Sequence, residues 1–63
     1  MSLGENLKRY RIEVGLSQKE LAEQINVKQQ AVSLVELNKR TPSICSLKKI
    51  AKVFNCTIDE LVN

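Results

Sequence analysis

The chain has 63 residues, ten Lys and Arg against seven Asp and Glu, no histidine and a net charge of +3. That length makes one small domain, 1–63, which buries only about 60 % of its unfolded surface and so needs tight helical packing or a staple. Cys45 and Cys56 without a histidine are no zinc set, no apolar run approaches the ~20 residues that span a bilayer, and no signal-peptide core is present, so the expectation is a cytoplasmic domain without a disulfide.

Capping signals divide the chain into helices. Ser2-Leu3-Gly4-Glu5 is a capping-box match and opens a helix over 3–14. Leu3, Leu7, Tyr10, Arg11 and Val14 recur along it at spacings of three and four, the mark of an amphipathic helix. Gly15 is placed to end it in the left-handed conformation. Ser17-Gln18-Lys19-Glu20 repeats the capping box and opens a helix over 18–25. A third helix follows over 29–37. Pro42-Ser43 opens the fourth, 44–54, with Ile44, Leu47, Ile50, Ala51 and Phe54 on one face. Thr57-Ile58-Asp59-Glu60 opens a short last helix, 58–62. Asn26, Asn38 and Asn55 each follow a helical segment, and asparagine tolerates the left-handed conformation best after glycine. There is no β-alternation, internal repeat or low-complexity tract. The expected core is Leu7, Val14, Leu21, Ala22, Ile25, Val32, Val35, Leu47, Ile50, Ala51, Phe54 and Leu61, with Cys56 a small core residue and Cys45 near the surface.

The run Gln18–Leu37 carries the most information. Leu21, Ala22 and Ile25 line the inner side of its first half, Val32 and Val35 that of its second. Ala22 is small where two steeply crossing helices bring their backbones close, and Asn26 stands where the first must stop. This is the pattern of a helix-turn-helix, whose second helix projects as a probe for the DNA major groove.

A family resemblance rests on Gly15-Leu16-Ser17-Gln18-x-x-Leu21-Ala22, Ile25-Asn26-Val27, Val32-Ser33-x-Val35-Glu36, Lys39-Arg40-x-Pro42-Ser43, Leu47-x-x-Ile50-Ala51 and Asp59-Glu60-Leu61. In this order and spacing the chain resembles the Cro/repressor (Xre-type) helix-turn-helix family over residues 3–62. The resemblance implies an all-α, five-helix, lambda-repressor-like DNA-binding domain of bacterial or phage origin. It also implies a structural pair between Arg11, late in helix 1, and Glu36, late in helix 3. The chain departs from the pattern at Asn26, Asn38 and Asn55, where glycine is commoner. It departs again at Lys28, where a capping Ser or Thr is usual; this weakens the start of helix 3 by about 1 kcal/mol.

The candidate base contacts are Gln29, Gln30, Ser33 and Leu34. A glutamine pairs bidentately with adenine N6 and N7, a serine donates to a base or phosphate, and a leucine meets a thymine methyl. The candidate backbone contacts are Gln18, whose backbone N–H and side chain can both address a phosphate at the N-terminus of helix 2, and Lys28, Lys39 and Arg40 around helix 3. Lys48, Lys49 and Lys52 read as a solvated face, and Leu37 as packing or neutral.

The expected function is a sequence-specific, double-stranded-DNA-binding transcriptional regulator. Its alternatives are an antitoxin-type protein or a helical protein-interaction module on the same fold. No nucleophile–base pair, metal set or phosphate-binding glycine loop points to an enzyme, and no cofactor is implied. A single helix-turn-helix reads few base pairs, so a homodimer on a two-fold operator is expected. Ile58, Leu61 and Val62 either form its contact or fill the core.

Overall fold

Short polar side chains start the helices. In the computed structural model, which describes residues 2–62, the order is α1 (Leu3–Glu13), α2 (Gln18–Gln24), α3 (Gln29–Glu36), α4 (Ile44–Phe54) and α5 (Ile58–Val62). No strand occurs among the described residues. The Ser2 hydroxyl accepts the Glu5 N–H at 3.2 Å and donates to the Glu5 carboxylate at 3.1 Å. Ser17 and Glu20 form a complete capping box at α2. Ser43 caps α4 through the Ser46 N–H. Thr57 and Glu60 cap α5 reciprocally at 3.1 and 2.9 Å. Each such cap contributes about 1 kcal/mol. At α3 the capping position is Lys28, which makes no side-chain capping bond.

The ends share one device. Gly15, Asn26, Asn38 and Asn55 all have positive φ. The N–H of each bonds the carbonyl three residues back, and the next N–H bonds the carbonyl five back: Gly15 to Ile12 and Leu16 to Arg11, Asn26 to Glu23 and Val27 to Ala22, Asn38 to Val35 and Lys39 to Leu34, Asn55 to Lys52 and Cys56 to Ala51. This is the Schellman arrangement, usually completed by an apolar residue after the left-handed one. Leu16, Val27 and Cys56 supply it and pack against the core. After α3 the same position is Lys39, which is exposed.

These ends correct two expectations. Val14 is not core: α1 stops at Glu13, Val14 lies at the turn and is 50 % exposed, and Leu16 folds back in its place. Ile44 is 62 % exposed because it is the first residue of α4, short of the turn that reaches the core. Every other expected core residue is buried except Cys56, which is half-buried against the core as the residue that follows the Asn55 turn. Cys45 is exposed and Cys56 half-buried, both as free thiols.

The core joins all five helices within 24 × 23 × 21 Å. Leu7 of α1, Leu21, Ala22 and Ile25 of the α2 region, Val32 and Val35 of α3, Ile50, Ala51 and Phe54 of α4 and Leu61 of α5 form one cluster. Tyr10 stacks on Phe54, ring centroids 5.6 Å apart, and closes α1 over α4. One buried polar side chain crosses this interior. Asn6 is fully buried and its Nδ2 donates to the Leu61 carbonyl at 2.8 Å, tying α5 to α1. Leu61 itself is 0 % exposed and Ile58 is packed on the core, which leaves Val62 as the exposed apolar residue of α5. Leu61 therefore fills the core and is no contact between copies.

Candidate nucleic-acid interface

The inner side of α3 is buried and the outer side is polar. Val32, Val35 and Glu36 are buried, Gln29 and Gln30 exposed, and Ser33 and Leu34 half-buried. Helix geometry puts Gln29 one turn before Ser33 and Gln30 one turn before Leu34, on adjacent ridges. The Gln30–Leu34 ridge borders a shallow depression that is also lined by Val27, Lys28, Ala31 and Arg40. The structure thus brings one cation before α3 and one after it to the same depression. Lys39 lies outside that lining, in the exposed exit loop. Leu34 is half-buried and shares that lining with Ala31 and Val27. Leu37, read as packing or neutral, is 60 % exposed at the end of the helix.

Helix α3 is held at its C-terminal end. The side chains of Arg11 and Glu36 are 12 % and 4 % exposed. Arg11 Nε donates to Glu36 Oε2 at 2.6 Å, Nη2 donates to Oε1 at 3.3 Å, and Nη1 donates to the Leu16 carbonyl at 2.9 Å. A side-on fork of this kind is the geometry in which a buried guanidinium and carboxylate compensate one another best. Gln18 joins it, with Nε2 donating to Glu36 Oε1 at 3.0 Å. This corrects one expectation for Gln18. Its side-chain amide is committed inward, and what it offers outward is the backbone N–H of the first residue of α2, a group without an intrahelical partner.

Charge is segregated along the chain. Between Gln24 and Ile58 the only acid is Glu36, and it is buried and paired. The cations of the same stretch are Lys28, Lys39, Arg40, Lys48, Lys49 and Lys52. The other acids, Glu5, Glu13, Glu20, Glu23, Asp59 and Glu60, are exposed outside that stretch. Acids occupy the first turns of α1, α2 and α5, where they complement the helix dipole, whereas the first turns of α3 and α4 have none. The partial positive charge at the start of α3 is left uncompensated. This acid-free stretch was readable in the sequence, but only once α3 was known to stand between its cations.

The chain belongs to the helix-turn-helix family, whose sequence model matches residues 7–61, and within it to the Xre/Cro type. It is 43 % identical over 63 residues to the HTH-type transcriptional activator BcrR of Enterococcus faecalis, covering all of this chain and 31 % of that protein. It is 37 % identical over 62 residues to the HTH-type transcriptional regulator ImmR of Bacillus subtilis, covering 98 % of this chain and 49 % of that protein. The chain thus spans half or less of the length of these two relatives. Among solved structures it is similar to SinR, a master regulator for biofilm formation, in complex with DNA: TM-score 0.87, 37 % identity, 94 % of this chain and 95 % of that one. The P22 c2 repressor in complex with a synthetic operator shares the fold at TM-score 0.95 and 24 % identity, over 100 % of this chain and 96 % of that one.

Proposed function

We infer that this domain binds double-stranded DNA sequence-specifically, with α3 in the major groove, as the DNA-reading part of a transcriptional regulator. One observation carries the reading. Helix α3 is buried and clamped at its C-terminal half, while its N-terminal half is uncapped, acid-free, bordered by Lys28 and Arg40, and presents Gln29 and Gln30 to solvent. A helix N-terminus of this kind is an anion site, and two adjacent glutamines on it suit the paired donor and acceptor of adenine. BcrR, ImmR and SinR are transcriptional regulators by name, which favours this reading over an antitoxin or a protein-interaction module.

The roles divide by chemistry. Gln29 and Gln30, with Ser33 and Leu34 one turn on, read base edges. Lys28, Lys39 and Arg40 neutralise phosphates on the flanking strands, and the Gln18 N–H at the head of α2 takes a further phosphate. Two copies on a pseudo-palindrome complete a site of useful length. Selection of duplexes from a random pool, followed by affinity measurements across a salt series, tests this. Enrichment of a defined sequence, bound more tightly than bulk duplex and with a negative salt slope, is the expected result. Failure to enrich any sequence, or salt-independent binding, would defeat it.

A further inference from the structure

We propose that Asn38 is a positioning residue for DNA reading: its side chain locks the C-terminal end of α3 onto the N-terminal end of α1 and so sets the direction in which Gln29 and Gln30 point. This rests on the reading of α3 as the recognition helix.

The backbone at Asn38 does not account for an asparagine. Its φ of 60° is left-handed, and glycine adopts that conformation at lower cost. The side chain makes the difference. Asn38 Oδ1 accepts the Gly4 N–H at 3.2 Å, and Nδ2 donates to the Ser2 hydroxyl at 3.0 Å. Ser2 Oγ already caps the Glu5 N–H, so Asn38 supplies the acceptor for a second orphan donor of α1 from across the fold. The two helix ends meet closely. A Cβ at Gly4 would lie 2.5 Å from the Val35 carbonyl oxygen and 2.7 Å from that of Glu36. The positive end of α1 therefore abuts the negative end of α3, an attractive arrangement of dipoles.

Arg11–Glu36 grips the same end of α3 from the C-terminal part of α1. Asn38 grips it from the N-terminal part. Two anchors on one end, and no side-chain cap at the other, make α3 a cantilever seated on Val32 and Val35. Eight residues span about 12 Å, so a tilt of about 10° at Asn38 carries Gln29 about 2 Å sideways over that lever. A bidentate hydrogen-bonded pair does not survive such a shift.

Asn38→Gly tests this, because it keeps the left-handed turn and removes both side-chain bonds. Three quantities are measured on the whole chain: hydrogen exchange of the Gly4 amide, affinity for a selected operator, and affinity for random duplex across a salt series. Exchange at Gly4 rises, and the operator-to-random affinity ratio falls on the order of tenfold, with the salt slope unchanged. Asn38→Asp keeps the acceptor for the Gly4 N–H and loses only the bond to Ser2, whose one proton is already on Glu5, so Gly4 protection and most of the ratio return. The ratio cancels the uniform effect of the added charge. Loss of Gly4 protection with an unchanged ratio makes Asn38 a helix cap and nothing more, and overturns the proposal. Unchanged exchange at Gly4 overturns it as well, because the clamp is then absent. A wild-type domain with no preference among duplexes overturns the DNA reading itself, and this proposal with it.

Discussion

Arg11 and Glu36 face each other in a side-on fork, Nε to Oε2 at 2.6 Å and Nη2 to Oε1 at 3.3 Å, with the carboxylate nearly withdrawn from water. Removal of one partner strands a buried charge, at a cost of about 3–5 kcal/mol. A domain of this size has a total stability of the same order, so Arg11→Ala and Glu36→Ala stand at the edge of unfolding. Arg11→Met with Glu36→Leu should lose less than Arg11→Met and Glu36→Leu made singly and added together, because no charge is left behind. Urea unfolding of the singles and the double reads this directly, and strict additivity would mean that the fork carries no coupling.

Glu20 gives a pH dependence with a definite sign. Its carboxyl is held below its ordinary value of 4.5, first by the backbone N–H of Ser17 and second by the Ser17 hydroxyl, against a small opposing effect of burial. The folded value is depressed, so the contribution is fully present above 4.5 and is lost as pH falls through the folded value. Glu20→Gln keeps a neutral acceptor for the Ser17 N–H. The stability gap between wild type and Glu20→Gln should therefore be widest near neutrality and close in acid. A gap that widens toward low pH would contradict the assignment.

At Lys28 stability and the proposed phosphate contact oppose each other. It occupies the capping position of α3 without a capping bond. Lys28→Ser should add about 1 kcal/mol, raising the melting temperature by about 4–8 °C. It should also flatten the slope of log K against log salt by about one unit, through loss of a phosphate contact. A stabilised variant with an unchanged slope would remove Lys28 from the interface.

The elements were legible because their punctuation is local. Ser17, Ser43 and Thr57 cap the helices they precede, and the three asparagines and Gly15 close the helices they follow. Val14 was misplaced by periodicity, which continues through a helix end, whereas the Schellman turn hands the apolar contact to Leu16. Asn6, Gly4 and the inward turn of Gln18 were not legible. Each depends on a partner far along the chain: Leu61, Val35 and Glu36. Local pattern carries no signal for such pairs, and an asparagine within a helix reads as surface until a distant carbonyl is brought to it.

Two sets of variants separate reading from clamping. Lys39→Ala and Arg40→Ala should weaken binding on all sequences alike and flatten the salt slope by about one unit or less. Gln29→Ala or Gln30→Ala should cost about 1–3 kcal/mol on the selected site and relax one base pair, with random-duplex affinity nearly unchanged. If the glutamine variants instead lower affinity uniformly, base recognition lies elsewhere on the domain.

The operator should contain two half-sites about 34 Å apart on one face of the duplex. The domain measures 24 × 23 × 21 Å, so two copies fit side by side at that spacing and approach closely where they meet. With Leu61 buried and Ile58 packed on the core, α5 offers only Val62, 43 % exposed, as an apolar contact. A patch that small falls far short of a standard interface, which buries about 800 Å² per partner. The copies should therefore be monomeric when free at low concentration and pair on DNA. Sedimentation of the free domain and footprinting of the complex check both halves of this statement. Val62→Gln should lower the cooperativity of operator filling while leaving the affinity of a single half-site unchanged. Protection of one short half-site, with no two-fold repeat in the selected sequence, would rule out the paired arrangement.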